Sequence, residues 1–78
     1  MLDIELQKRI LETARAKYPR AIDNPVETFA NVPEEKLWEN IEYLVQKGLV
    51  EGKDASAAES PIYYLDLKIT AVGIDSMG

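Results

Sequence analysis

The chain has no cysteine and no histidine. Those two absences exclude disulfides, zinc sites built on thiolate or imidazole, thiol catalysis and every mechanism that needs an imidazole. Long apolar runs are missing too: the longest, Ile62 to Leu65, spans four residues, so nothing reads as a membrane span or a signal peptide. Positive charge is scarce, with nine Lys and Arg against fourteen Asp and Glu, a net charge of −5. Basic residues are also unevenly placed: residues 1–22 balance at +2 and residues 23–78 at −7. A protein that neutralises DNA phosphates or an anionic membrane normally clusters Lys and Arg, so this balance weighs against strong nonspecific binding to either.

Seventy-eight residues suffice for one domain and not for two. At this size only about 60% of the unfolded chain's surface can be buried, and without a disulfide or metal the fold must rest on packing, as a reducing cytoplasm demands. The hydrophobic fraction of 46% supports a folded chain rather than a disordered one. A cytoplasmic protein is therefore expected.

Four helical segments and two strands are legible in the pattern. Ile4, Ile10, Leu11, Ala14 and Tyr18 make one apolar stripe from Asp3 to Tyr18, with Leu6 at its edge, Asp3 as N-cap and Pro19 as terminator. Asn24 can cap a short helix from Pro25 to about Ala30, with Val26, Phe29 and Ala30 inward. From Pro33 to Lys47, Leu37, Ile41, Leu44 and Val45 form a tight stripe, Trp38 lies on its shoulder, and Gly48 supplies the C-terminal cap. Leu49 to Lys53 reads as a short strand and Asp54 to Pro61 as a polar loop. Tyr63, Leu65, Leu67 and Ile69 then alternate with Tyr64, Asp66, Lys68 and Thr70, which marks a hairpin partner with one buried face and puts Tyr64 on the other. Thr70 can cap a last turn through Ala71 to Met77.

The order of these pieces carries a resemblance. Ala30-Asn31-Val32-Pro33-Glu34-Glu35 leads into Leu37, Ile41, Leu44 and then Gly48-Leu49-Val50, and the chain closes with Leu67-Lys68-Ile69-Thr70-Ala71-Val72-Gly73. This resembles the winged-helix branch of helix-turn-helix proteins, over essentially the whole chain. The resemblance implies an α+β winged helix-turn-helix: three helices, a two-stranded antiparallel β-hairpin wing and a short C-terminal helical turn. It implies a transcription-regulator-like protein whose second long helix enters the major groove while the wing touches backbone or minor groove. Winged helices also serve as protein-interaction modules, so function rests on the exposed residues.

For DNA, the candidates are Lys36, Asn40, Tyr43 and Lys47 along one shoulder of the Pro33 to Lys47 helix, with Lys53, Ser56 and Ser60 of the wing. Against them stand Glu35, Glu39 and Glu42 at the centre of that helix's polar face, which repel phosphates, and Asp54 and Glu59 beside the wing donors. For a protein partner, the candidates are Trp38 and Tyr64 as an aromatic patch and Glu39 and Glu42 as an acidic face. No catalytic, metal or cofactor residues are expected, because the acidic pairs have no companion base or nucleophile and no Gly-rich phosphate loop is present. The partners expected are duplex DNA, bound weakly, or a protein, and no membrane. The ending at Ser76-Met77-Gly78 suggests the N-terminal part of a longer protein, whose missing C-terminal segment supplies a homodimer contact or a second basic surface.

Overall fold

The computed structural model describes residues 1–54 and 64–77. Of the expected hairpin loop, Asp54 instead ends the first strand, paired with Tyr64, while the rest, with Ser56, Glu59 and Ser60, and the expected strand residue Tyr63 lie outside the described residues.

Helix α1 spans Ile4–Lys17, α2 Pro25–Thr28 and α3 Glu34–Gln46; strands β1 (Val50–Asp54) and β2 (Tyr64–Ile69) follow, then α4 (Ala71–Ser76). The architecture is α+β, four helices and one antiparallel two-stranded hairpin, a layout compatible with a winged helix. No helix among the described residues is long and apolar enough to cross a membrane.

Local chemistry sets the element ends. The Asp3 side chain accepts the Leu6 N–H at 3.1 Å, and Asn24 Oδ1 accepts those of Val26 at 3.0 Å and Glu27 at 3.4 Å. Thr70 Oγ1 accepts the Gly73 N–H at 3.0 Å and donates to Gly48 O at 2.6 Å, which ties α4 back to the end of α3. Gly48 takes φ +75°, the left-handed conformation that closes a helix at least cost in glycine.

Two expected faces are corrected by packing. In α1 the buried stripe is Leu6, Ile10 and Ala14, while Ile4 is 68% and Tyr18 44% exposed. At about 100° per residue Ile4 and Tyr18 sit roughly 120° and 80° around the helix from Ile10, outside the sector that meets α3 and β2. In the short second helix Pro25 and Phe29 are buried, Val26 is half-buried and Ala30 is exposed, because the helix stops at Thr28.

The strand pairing contains an irregularity with consequences. Val50 pairs with Ile69 and Glu51 with Lys68, but Lys53 pairs with Leu65 and Asp54 with Tyr64, so β2 holds one extra residue. Asp66, at φ 53°, lies in the shifted stretch. An inserted residue reverses the alternation beyond it. Tyr64 therefore falls on the side of Leu67 and Ile69, next to Gly52, where an added Cβ would sit 2.9 Å from Tyr64 Cβ and 3.3 Å from Leu67 Cδ1. The expectation that Tyr64 faces away from the core is overturned for this reason.

A further pairing has no counterpart in the sequence reading. Ile22 and Leu67 exchange backbone hydrogen bonds of 2.7 and 2.9 Å, and the Asp66 N–H donates to Asp23 O at 3.1 Å. This bridge places β2 between β1 and the connection that follows α1. The core collects Leu6, Ile10 and Ala14 of α1, Leu37, Ile41 and Leu44 of α3, Val50, Leu67 and Ile69 of the sheet, and Ile22 and Phe29 from the connections on either side of α2. α4 packs so closely on Leu49, the residue before β1, that a Cβ at Gly73 would overlap its carbonyl oxygen.

Candidate interaction surface

The exposed side of α3 is what remains after the helix has satisfied its neighbours, and those neighbours take most of the expected DNA-reading groups. Asn40 is fully buried. Its Oδ1 accepts the Asp3 N–H at 2.8 Å and a Gln7 Nε2–H at 2.9 Å, while its Nδ2 donates to Lys36 O at 2.8 Å and Met1 O at 3.3 Å. A carboxamide has two acceptor and two donor positions, and all four are used. The expectation that Asn40 reads bases is overturned: it fastens residues 1–3 and α1 across α3. The spacing held a signal for this, since Asn40 stands three residues after Leu37 and four before Leu44, on the border of the apolar stripe.

Lys36 is half-buried, and its Nζ lies 2.8 Å from Asp3 Oδ2. That hydrogen bond, followed by the one from the Leu6 N–H, holds the Asp3 carboxyl below the usual carboxylate range. Tyr43 is half-buried with Lys47 Nζ 5.4 Å from its ring centroid, and Lys47 itself is exposed at the helix end. Lys53 is exposed on β1. The structure therefore separates the seven DNA candidates: Lys36 and Asn40 are engaged within the fold, Tyr43, Lys47 and Lys53 remain accessible in part, and Ser56 and Ser60 fall outside the described residues.

The protein-contact candidates divide as well. Trp38 and Tyr64 are half-buried and pack against the core, so they form no exposed aromatic patch. Tyr64 OH donates to Glu42 Oε2 at 2.6 Å, and Glu42 Oε1 accepts from Gln46 Nε2 at 3.1 Å. The anionic acceptor, then burial, push the Tyr64 hydroxyl up to about 12. Glu42 is thus occupied in joining α3 to β2, which sequence spacing alone does not show. Glu39 keeps 45% of its side chain exposed beside the Met1 ammonium, 2.7 Å away. With Glu34 and Glu35 exposed in the first turn, the accessible part of α3 is predominantly anionic.

No family model, no curated protein and no solved structure matches this chain.

Proposed function

We propose that this chain is a winged-helix domain that works as a protein-interaction module without catalytic chemistry, its exposed α3 acids, Glu35 and Glu39, meeting a basic segment of a partner. The observation that carries this reading is the burial of Asn40 with all four of its hydrogen-bonding positions filled by the same chain. A groove-reading helix needs free donors and acceptors at base edges and cations at the phosphates. Here the one carboxamide placed for adenine lies inside the fold and the nearest lysine holds Asp3. Carboxylates remain outward, and they suit a cationic protein surface better than a polyanion.

Duplex DNA is the second reading, favoured by one observation: Lys47 and Lys53 are exposed, and Lys47 is steadied over the Tyr43 ring. Two phosphate contacts give a shallow salt slope, about −2.

Amide-shift titrations at low salt separate the two. A hexa-arginine peptide is expected to move the Glu35 and Glu39 amides, with E35Q/E39Q weakening the binding and E5Q/E12Q on α1 leaving it unchanged. A duplex is expected to leave the Tyr43, Lys47 and Lys53 amides in place. If the duplex moves those three together and the arginine peptide does not select Glu35 and Glu39, the interaction reading is wrong and DNA takes its place.

A further inference from the structure

A surface of the opposite sign forms where α1 ends against the solvent side of the sheet. Tyr18, the residue after α1, is 44% exposed, and both Arg15 Cζ and Lys68 Nζ lie 5.8 Å from its ring centroid. Arg15 comes from the last turn of α1 and Lys68 from β2, so only the fold brings both cations beside one ring. Beside that ring opens a cleft of about 600 Å³, with Lys17 and Arg20 on its walls and Asp23 and Asp66 on the remaining rim. Among the described residues no carboxylate comes within 4.0 Å of the side-chain nitrogens of Arg15, Lys17, Arg20 or Lys68.

That is unexpected in a chain with fourteen acidic and nine basic residues, where carboxylates are in excess. Compensation of the α1 macrodipole accounts for Arg15 and Lys17. It does not account for Lys68 on a strand, for Arg20 beyond the helix, or for an exposed tyrosine beside two cations. Exposed Tyr and Arg are the residue types that carry interface energy, and a guanidinium presents a planar fork that fits a carboxylate.

We propose that the Arg15–Tyr18–Lys68 cluster and its cleft are a docking surface for an acidic segment of a partner protein. Carboxylates of that segment seat on Arg15 and Lys68, an apolar side chain lies against the exposed part of Tyr18, and its backbone follows the cleft past Lys17 and Arg20. Charge complementarity selects a short polypeptide over a nucleic acid. A phosphate strand would have to run past Asp23 and Asp66, and past Glu51, which pairs with Lys68 in the sheet. A peptide needs only a few carboxylates and can place neutral residues against that rim.

An acidic peptide with neutral positions, Glu-Leu-Glu-Gly-Ser-Gly, titrated at low salt into isotope-labelled protein, is the test, with a duplex titrated in parallel. The amides of Arg15, Tyr18, Ala21 and Lys68 are expected to shift together with the peptide. R15Q/K68Q should weaken the affinity about tenfold, the loss appropriate to two partly exposed charge contacts. K8Q/R9Q, an equal change of charge elsewhere on α1, should leave it within about twofold on the same scale. The proposal is overturned if the shifts fall elsewhere, if K8Q/R9Q weakens binding as much as R15Q/K68Q, or if the duplex moves these amides at lower concentration than the peptide. None of these results depends on Glu35 or Glu39, so the two surfaces stand or fall separately.

Discussion

Asn40 is the one polar side chain that the described residues bury completely, and its cost is offset only because nothing on it is left unpaired. Truncation would strip the Asp3 N–H and the Gln7 amide of their acceptor and leave a void beside Leu37 and Leu44. Asn40→Ala is therefore expected to cost about 2–3 kcal/mol, more than an exposed helix position allows. Urea unfolding checks this as a lower midpoint with an unchanged slope. Released from Asn40, Asp3 would also lose its hold on Lys36, and its carboxyl should titrate nearer its ordinary value. A groove-reading asparagine would behave oppositely, leaving stability almost untouched.

At the level of elements, two side-chain clamps hold α3: Asp3 with Lys36 from the N-terminal side, and Tyr64 with Glu42 from β2. They bound stability from opposite ends of the pH scale. Asp3 is lowered in the folded state, so its contribution is complete above the unfolded value of about 3.9 and is lost as pH falls through the folded one. Tyr64 is raised to about 12, so its contribution is complete below the unfolded value of about 10 and disappears as pH rises from there towards 12. Tyr64→Phe is expected to cost about 1 kcal/mol at neutral pH and to remove this alkaline component. Denaturation midpoints of both proteins between neutrality and pH 12 measure it. If the two curves run parallel, the hydroxyl is not clamped to Glu42. The clamp exists only because the extra residue in β2 brings Tyr64 to the inner side of the sheet.

For the whole molecule, the described residues bury twelve apolar side chains completely or nearly so, Pro25 among them, a core that leaves little reserve. A chain of this length is held by roughly 4–12 kcal/mol in total. Ile41 is fully buried on α3 among residues from α1 and the sheet. Ile41→Ala is expected to remove about 2–5 kcal/mol, which can unfold a large share of the population at 37 °C. Val72, 59% exposed on α4, is the control: Val72→Ala should stay within about 0.5 kcal/mol. Thermal melts of the two variants make the comparison. The exposed charges of α3 itself are acidic, Glu34, Glu35 and Glu39, whereas Arg15, Lys17 and Arg20 gather near Tyr18 with Asp23 and Asp66 at the rim.

What the sequence by itself determined is local. The Asp3, Asn24 and Thr70 caps, the Gly48 turn, the α3 stripe and the two strands follow from hydrogen bonds and periodicities that span a handful of residues, so neighbouring letters suffice to read them. Tertiary structure alone decided the rest. Asn40 became a buried fastener because residues 1–3 cross α3, and the Ile22–Leu67 bridge formed because α1 delivers its exit beside β2. Tyr64 turned inward because one extra residue in β2 reversed a period of two. Arg15 and Lys68 met at Tyr18 because α1 and the sheet pack together. In each case a side chain's chemistry was visible in the sequence and its partner was not. Partners across long separations are chosen by which faces the core must bury, and that choice is made by the whole chain at once.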